Sequence, residues 1–237
     1  MFLNYRRRYS KCLSIVFFAQ QQINTATNAV LGYELLIKEL TPDGWRLSSS
    51  FIDIDTKVFA NLLIETTKIL GQKVRYCSVN VNRDQLMNTD ITEAIIESQR
   101  QLYPTKLIVE LTEDVSEREY TPTEIKEQLE RFVSKGIQIS LDDVGTGHNQ
   151  FEDIEDFLPL ASEIKFAVQN FKSTIQDPKI KQKVRFWNAI SSEYNIHLVL
   201  EGIEDQADNQ LSQSFGISRR QGYFFSKPQL LSLPGDK

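Results

Sequence analysis

Short apolar runs rich in β-branched residues recur along the chain, separated by longer stretches in which apolar residues return every three or four positions. The runs are SIVFFAQ (14–20), AVLGYELLI (29–37), RYCSVNV (75–81), KLIVELT (106–112), QISLDDV (138–144), EIKFAV (163–168), HLVLEGI (197–203) and GYFFSK (222–227). Most are continuously apolar, the pattern of strands covered on both faces. Between them, 121–136 predicts a helix: Thr121 caps it, Pro122 suits its first position and Glu124 completes a capping box. Ile125, Leu129, Phe132 and Val133 share one face, and Gly136 supplies the stop. Similar amphipathic stretches cover about 52–71 and 178–194. Eight strands alternating with helices in 237 residues predict an α/β barrel of the (β/α)8 type, one domain with its site at the C-terminal strand ends. A doubly wound open sheet is the competing architecture, but no G-x-G-x-x-G follows the first strand and no P-loop occurs.

Acids interrupt these strands at corresponding places. Glu34, Asn80, Glu110, the adjacent pair Asp142 and Asp143, and Glu201 each sit among residues that belong in a core, toward the strand end that a barrel turns to its catalytic face. A single glutamate in a strand reads most simply as an edge residue or half of a structural pair. Six oxygen-bearing side chains at corresponding positions of five strands ask for a common explanation. Carboxylates gathered so closely need positive charge, and hard divalent cations prefer oxygen donors, whereas zinc recruits His or Cys. With only His148 and His197 in the chain, a pair of hard cations preparing water for attack on a phosphorus centre fits better. Lys165 is the one cation in the set, either a strand-end lysine or a group that orients the attacking water.

The charge balance narrows the ligand. A net charge of −5 and a pI near 5.2 argue against polymeric nucleic acid, while a small anion remains compatible if metal ions or a local basic cluster receive it. Cys12 and Cys77 are too few for a disulfide framework or a cysteine metal site and point to a reducing cytoplasm. YRRRYSK followed by CLSIVFFA imitates a signal peptide, but the apolar run is short and leads into Gln20-Gln21-Gln22, so it predicts a first buried strand. No stretch approaches the ~20 apolar residues of a membrane span, and no membrane partner is expected.

In this order the motifs resemble an EAL domain, the cyclic di-GMP phosphodiesterase family, over nearly the whole chain, with a motif-bearing core of about 14–230. GYELLIK is similar to the family's naming motif, SVNV to its Asn-bearing strand, and VELTE to its ELTE element. LDDVGTG resembles the DDFGTG loop, EIKF the Lys-Ile-Asp strand, LEGIE the AEGVE motif and QGYFFSKP the QGYLFSKP motif. The resemblance implies a modified TIM (β/α)8 barrel whose first strand is antiparallel, and metal-dependent opening of cyclic di-GMP to linear pGpG with two Mg2+ or Mn2+ ions. It implies Glu34, Asn80, Glu110, Asp142, Asp143 and Glu201 as metal ligands, Lys165 as the residue positioning the water, and Glu113 as anchor of the 143–147 loop. Gln21, Lys38, Gln221 and Glu204 would serve the substrate, and a homodimer is common among relatives. Lys38 replaces the arginine that grips a phosphate, exchanging a bidentate fork for a point charge. Ala167 replaces an aspartate, Leu35 an alanine, Val144 a phenylalanine, Gln22 a proline, and His148 the common tyrosine. The departures leave open a receptor that holds the dinucleotide without cleaving it, or a protein-binding regulator on the same scaffold.

Overall fold

The structure, a computed structural model, describes residues 15–47, 56–70 and 74–230. Cys12, the basic YRRR stretch and the outer ends of the expected helix over 52–71 lie outside these residues. The described strands are β1 (Ile15–Asn24), β2 (Ala29–Thr41), β3 (Gly44–Leu47), β4 (Tyr76–Val81), β5 (Lys106–Leu111), β6 (Gln138–Leu141), β7 (Glu163–Ala167), β8 (His197–Glu201), β9 (Arg219–Arg220) and β10 (Gln229–Leu230). The larger helices are α1 (Thr56–Leu70), α2 (Thr89–Leu102), α3 (Pro122–Ser134), α4 (Pro178–Glu193) and α5 (Gln206–Ser214).

Strands β2, β4, β5, β6, β7, β8 and β9 follow one another in parallel, and β1 closes the sheet into a barrel by pairing with both β2 and β9. Both pairings of β1 are antiparallel, so the first strand runs against the rest, as the resemblance implies. Strand β3 extends the outer end of β2, and β10 lies on β1 beside Phe18 and Ala19. The continuous apolar runs are explained by double coverage: in β5 every residue from Leu107 to Leu111 is buried, between the barrel interior and the helices. Helix α3 begins as its sequence dictates, with the Thr121 side chain accepting from the Glu124 N–H and Glu124 returning a carboxylate to the Thr121 N–H. Ile125, Leu129 and Phe132 are its buried stripe.

Two expectations need correction. The run GYFFSK over 222–227 is a turn, not a strand; the eighth barrel strand is Arg219–Arg220. Gly222, at φ 155°, lies so close to Ile203 that a Cβ would stand 2.2 Å from its carbonyl oxygen, and the N–H groups of Phe225 and Ser226 fold back onto the Gly222 carbonyl. The aromatic residues that suggested a strand, Tyr223 and Phe224, are exposed. The run expected over 138–144 leaves the ladder after Leu141, which releases Asp142 and Asp143 into the strand-end loop. Helix α2 buries Ile91, Ile95, Ile96 and Leu102 and is started by the Asn88 side chain, which accepts from Asp90 and Ile91 N–H.

Candidate functional site

The parallel strands deliver their acids to one mouth. Asn80 pairs with Glu110 across β4 and β5, and Ala167 with Glu201 across β7 and β8. Lys165 stands at the centre, about 1% exposed. Its Nζ lies 2.8 Å from Glu110 Oε2, 2.8 Å from Glu201 Oε1, 3.2 Å from Asp142 Oδ1 and 3.7 Å from Glu34 Oε2. Of these contacts, only Glu110 accepts a directed hydrogen bond; Asp142 and Glu201 are within ion-pair distance but off the direction that a hydrogen bond requires. Asn80 Nδ2 donates to Glu34 Oε1 at 2.8 Å, and Gln221 Nε2 donates to the other Glu34 oxygen. Asp142, Asp143 and Glu201 each present a carboxylate oxygen within 4.8 Å of the others.

This arrangement is short of positive charge. Glu34, Glu110, Asp142, Asp143 and Glu201 face one ammonium, an excess of four negative charges if all ionise. Burial pushes the carboxyls of Glu110 and Glu201 well above the usual range, with Lys165 pulling the other way. Asp142 is raised, first by burial, and Asp143 is pushed up to about 7 by burial, then by Asp142 and Glu113. Burial also works against the charge on Lys165, yet its ring of carboxylates holds its pKa well above the ordinary lysine value. One lysine satisfies part of the set. Asn80 Oδ1, Glu110 Oε1 and Asp143 Oδ1 are buried oxygens left without a hydrogen-bond donor, and Asp142 Oδ1 and Glu201 Oε1 meet only the shared Lys165 ammonium. Orphaned oxygens alone, with no thiolate or imidazole among them, are the donor set of hard divalent cations, and two such ions would balance the excess charge.

A loop braces the second aspartate. Asp143 adopts a left-handed backbone at φ 48°, uncommon for any residue but glycine or its polar mimics. The loop behind it is held at both ends. Val144 N–H donates to the Lys165 carbonyl at 3.0 Å, and His148 N–H donates to the Glu113 carbonyl at 2.9 Å. Gly147 passes so near that strand end that a Cβ would sit 2.2 Å from the same Glu113 oxygen. Glu113 meets the loop through its backbone carbonyl. Two residues that the sequence reading did not single out complete the brace. Asn149 is fully buried and donates from Nδ2 to the carbonyls of Leu111 and Asp142, while Arg83 donates to the carbonyls of Thr112 and His148 and to Asn149 Oδ1. The only sequence signals were an arginine beside the Asn-bearing strand and an asparagine just past Gly-Thr-Gly.

Above the acids lies a cavity of about 460 Å3 whose walls include Lys38, Glu204, Gln221 and Gln20. Lys38 Nζ rests 4.4 Å from the centre of the Phe18 ring, which in turn packs on Trp45. Gln221 is buried and Glu204 exposed. The expected Gln21 is not on this wall: its amide reaches Tyr33 Oη at 3.4 Å, while Gln20 lines the cavity. The register explains the exchange, because Gln20 lies opposite Glu34 and shares its face, and Gln21 lies opposite Tyr33 and takes the other. The substituted positions are mostly packed: Leu35, Val144 and Ala167 are buried, and Gln22 is buried between Tyr76 and Glu163.

Comparison with known proteins agrees with this architecture. The sequence profile of the EAL domain family matches residues 6–228. The signaling protein YkoW of Bacillus subtilis is 28% identical over 230 residues, covering 90% of this chain but only 28% of YkoW, so the chain spans little more than a quarter of that relative. The structure of the MucR phosphodiesterase of Pseudomonas aeruginosa in complex with c-di-GMP superposes with a TM-score of 0.76 at 22% identity, covering 97% of each chain. The Bacillus subtilis YkuI protein, which has an EAL domain and was solved with c-di-GMP and calcium, superposes with a TM-score of 0.74 at 17% identity over 99% of this chain and 60% of its own. A profile match across almost the whole length, a barrel with a reversed first strand and the ring of acids at its mouth lead to one conclusion: the chain belongs to the EAL domain family.

Proposed function

We propose that the protein is a divalent-metal-dependent phosphodiesterase that hydrolyses one phosphodiester bond of cyclic di-GMP to give linear pGpG. The observation that carries this reading is the set of buried oxygens around Lys165 that a single ammonium leaves under-satisfied. Glu34, Asn80, Glu110, Asp142, Asp143 and Glu201 would hold two ions, Mg2+ or Mn2+, which when bound acidify water and neutralise phosphate charge. Lys165 orients the attacking water and offsets negative charge in the transition state, a role suited to an ammonium that its neighbours keep protonated. Gln221 and Asn80 hold the Glu34 carboxylate in place through both of its oxygens. Lys38 faces the substrate phosphate from the cavity wall, with Gln20 and Glu204 at its rim. Water adds across one P–O bond, and its proton leaves with the departing ribose oxygen.

Purified protein given Mn2+ and cyclic di-GMP should yield pGpG by chromatography, with Glu34→Ala and Lys165→Met inactive. Folded, metal-loaded protein that makes no pGpG over hours would end this reading. A receptor is the second reading, favoured by Lys38 resting on Phe18 in place of an arginine fork. Calorimetry showing saturable nucleotide binding without turnover would select it.

A further inference from the structure

The barrel has a second mouth, where β4 to β8 begin, and there a cavity of about 720 Å3 opens, larger than the one above the acids. Three cations line it: Arg75 precedes β4, Lys106 begins β5 and Arg219 begins β9, with His197, the first residue of β8, beside them. Among the described residues Glu163 is the only carboxylate on its walls, and it is already engaged: it is buried, with Arg219 Nη1 3.2 Å from one oxygen and Gln22 Nε2 3.4 Å from the other. Arg75 and Lys106 are exposed, and neither has an ion-pair partner among the described residues. In a chain of net charge −5 this is a local reversal of sign.

Cations at strand starts often form a solvated rim, and conservation of stability is the usual role of this face of a barrel. Here they surround a concavity of the size that takes small ligands. Burial, and then the nearby Arg219, hold the pKa of His197 below its usual value, which favours its neutral form. The Arg75 guanidinium and the Lys106 ammonium are the uncommitted cations, and a guanidinium fork matches the oxygens of a phosphate, while Arg219 is shared with Glu163. Val74, Pro104 and Ile108 supply an apolar wall for a ligand body.

We propose that this lower cavity is a second, anion-binding site that accepts a small phosphorylated ligand of nucleotide size, separate from the acidic mouth. The test uses the full chain in EDTA, so that the acidic mouth repels anions, with pyrophosphate and ADP as probes and adenosine as the uncharged control. Calorimetry should show saturable one-to-one binding of at least one anionic probe, weakening as salt is added, and no binding of adenosine. Arg75→Ala combined with Lys106→Ala, both exposed and so compatible with the fold, should weaken binding at least tenfold. Glu34→Gln should leave it unchanged. The proposal is overturned if neither pyrophosphate nor ADP binds at millimolar concentration, or if the double variant binds as the parent does.

Discussion

Lys165 Nζ and Glu110 Oε2 are 2.8 Å apart, and neither side chain is more than about 1% exposed. A charge in such a place depends on its partner. In Lys165→Met the carboxylates of Glu34, Glu110, Asp142 and Glu201 lose their shared cation, and breaking a buried pair of this kind costs about 3–5 kcal/mol. Urea unfolding in EDTA should show that loss, and Mn2+ should restore part of it. Catalysis should stay absent in both conditions, because the metal replaces the charge of Lys165 but not its hold on water. Restored turnover would remove Lys165 from the chemistry.

Stability should depend on pH in opposite ways with and without metal. Asp143 has a folded pKa of about 7 against 3.8 for the free carboxyl, so the folded state binds its proton more tightly than the unfolded state does. Its contribution is present below pH ~4 and is lost as pH rises through 7. Asp142, Glu110 and Glu201 shift in the same direction. The metal-free protein should therefore melt at a lower temperature at pH 8 than at pH 5. With saturating Mn2+, which binds the ionised forms, melting temperature should rise across the same interval. A metal-free profile that rises toward pH 8 would contradict this account.

Asn149→Ala should separate loop geometry from ligand identity. The change removes donors to two buried carbonyls, a loss of about 2 kcal/mol at roughly 1 kcal/mol each. The barrel should remain folded, with kcat reduced tenfold or more because Asp143 loses its left-handed setting, and with little change in KM. Arg83→Met should behave alike, since the two side chains are bonded to each other. Effects confined to KM would mean that the brace serves substrate entry instead.

Lys38→Arg should strengthen substrate binding. A guanidinium offers a bidentate grip where the ammonium offers a point charge, and KM should fall several-fold with kcat unchanged. The Phe18 ring beneath it supports either cation. An unchanged KM would show that the residue stays on the aromatic ring and does not reach the phosphate.

Much of the site was legible because parallel strands translate sequence position into height. Glu201 ends its run of buried residues and Glu110 stands one residue before the end of its own, and a barrel turns all such ends to one face. What escaped depends on relationships between strands. The choice of Gln20 over Gln21 rests on the register of β1 against β2, and one residue of slip exchanges the faces. Arg83 and Asn149 act through backbone carbonyls of distant loops, which leave no periodic trace. The aromatic run at 222–227 carries strand composition in a segment whose path is set by how near Gly222 lies to Ile203.

The reversed first strand decides where the polypeptide arrives. Ile15 lies opposite Glu39, toward the end of β2 that carries the acids, and β1 then descends to the other mouth at Asn24. The strand at Gln229–Leu230 returns to the same upper level, beside Phe18. In a barrel whose strands all ascend, the first strand would start at the end far from the acids. Here a tug or a push transmitted along the backbone into either β1 or β10 is felt first at the acidic rim, with no need to cross the body of the protein.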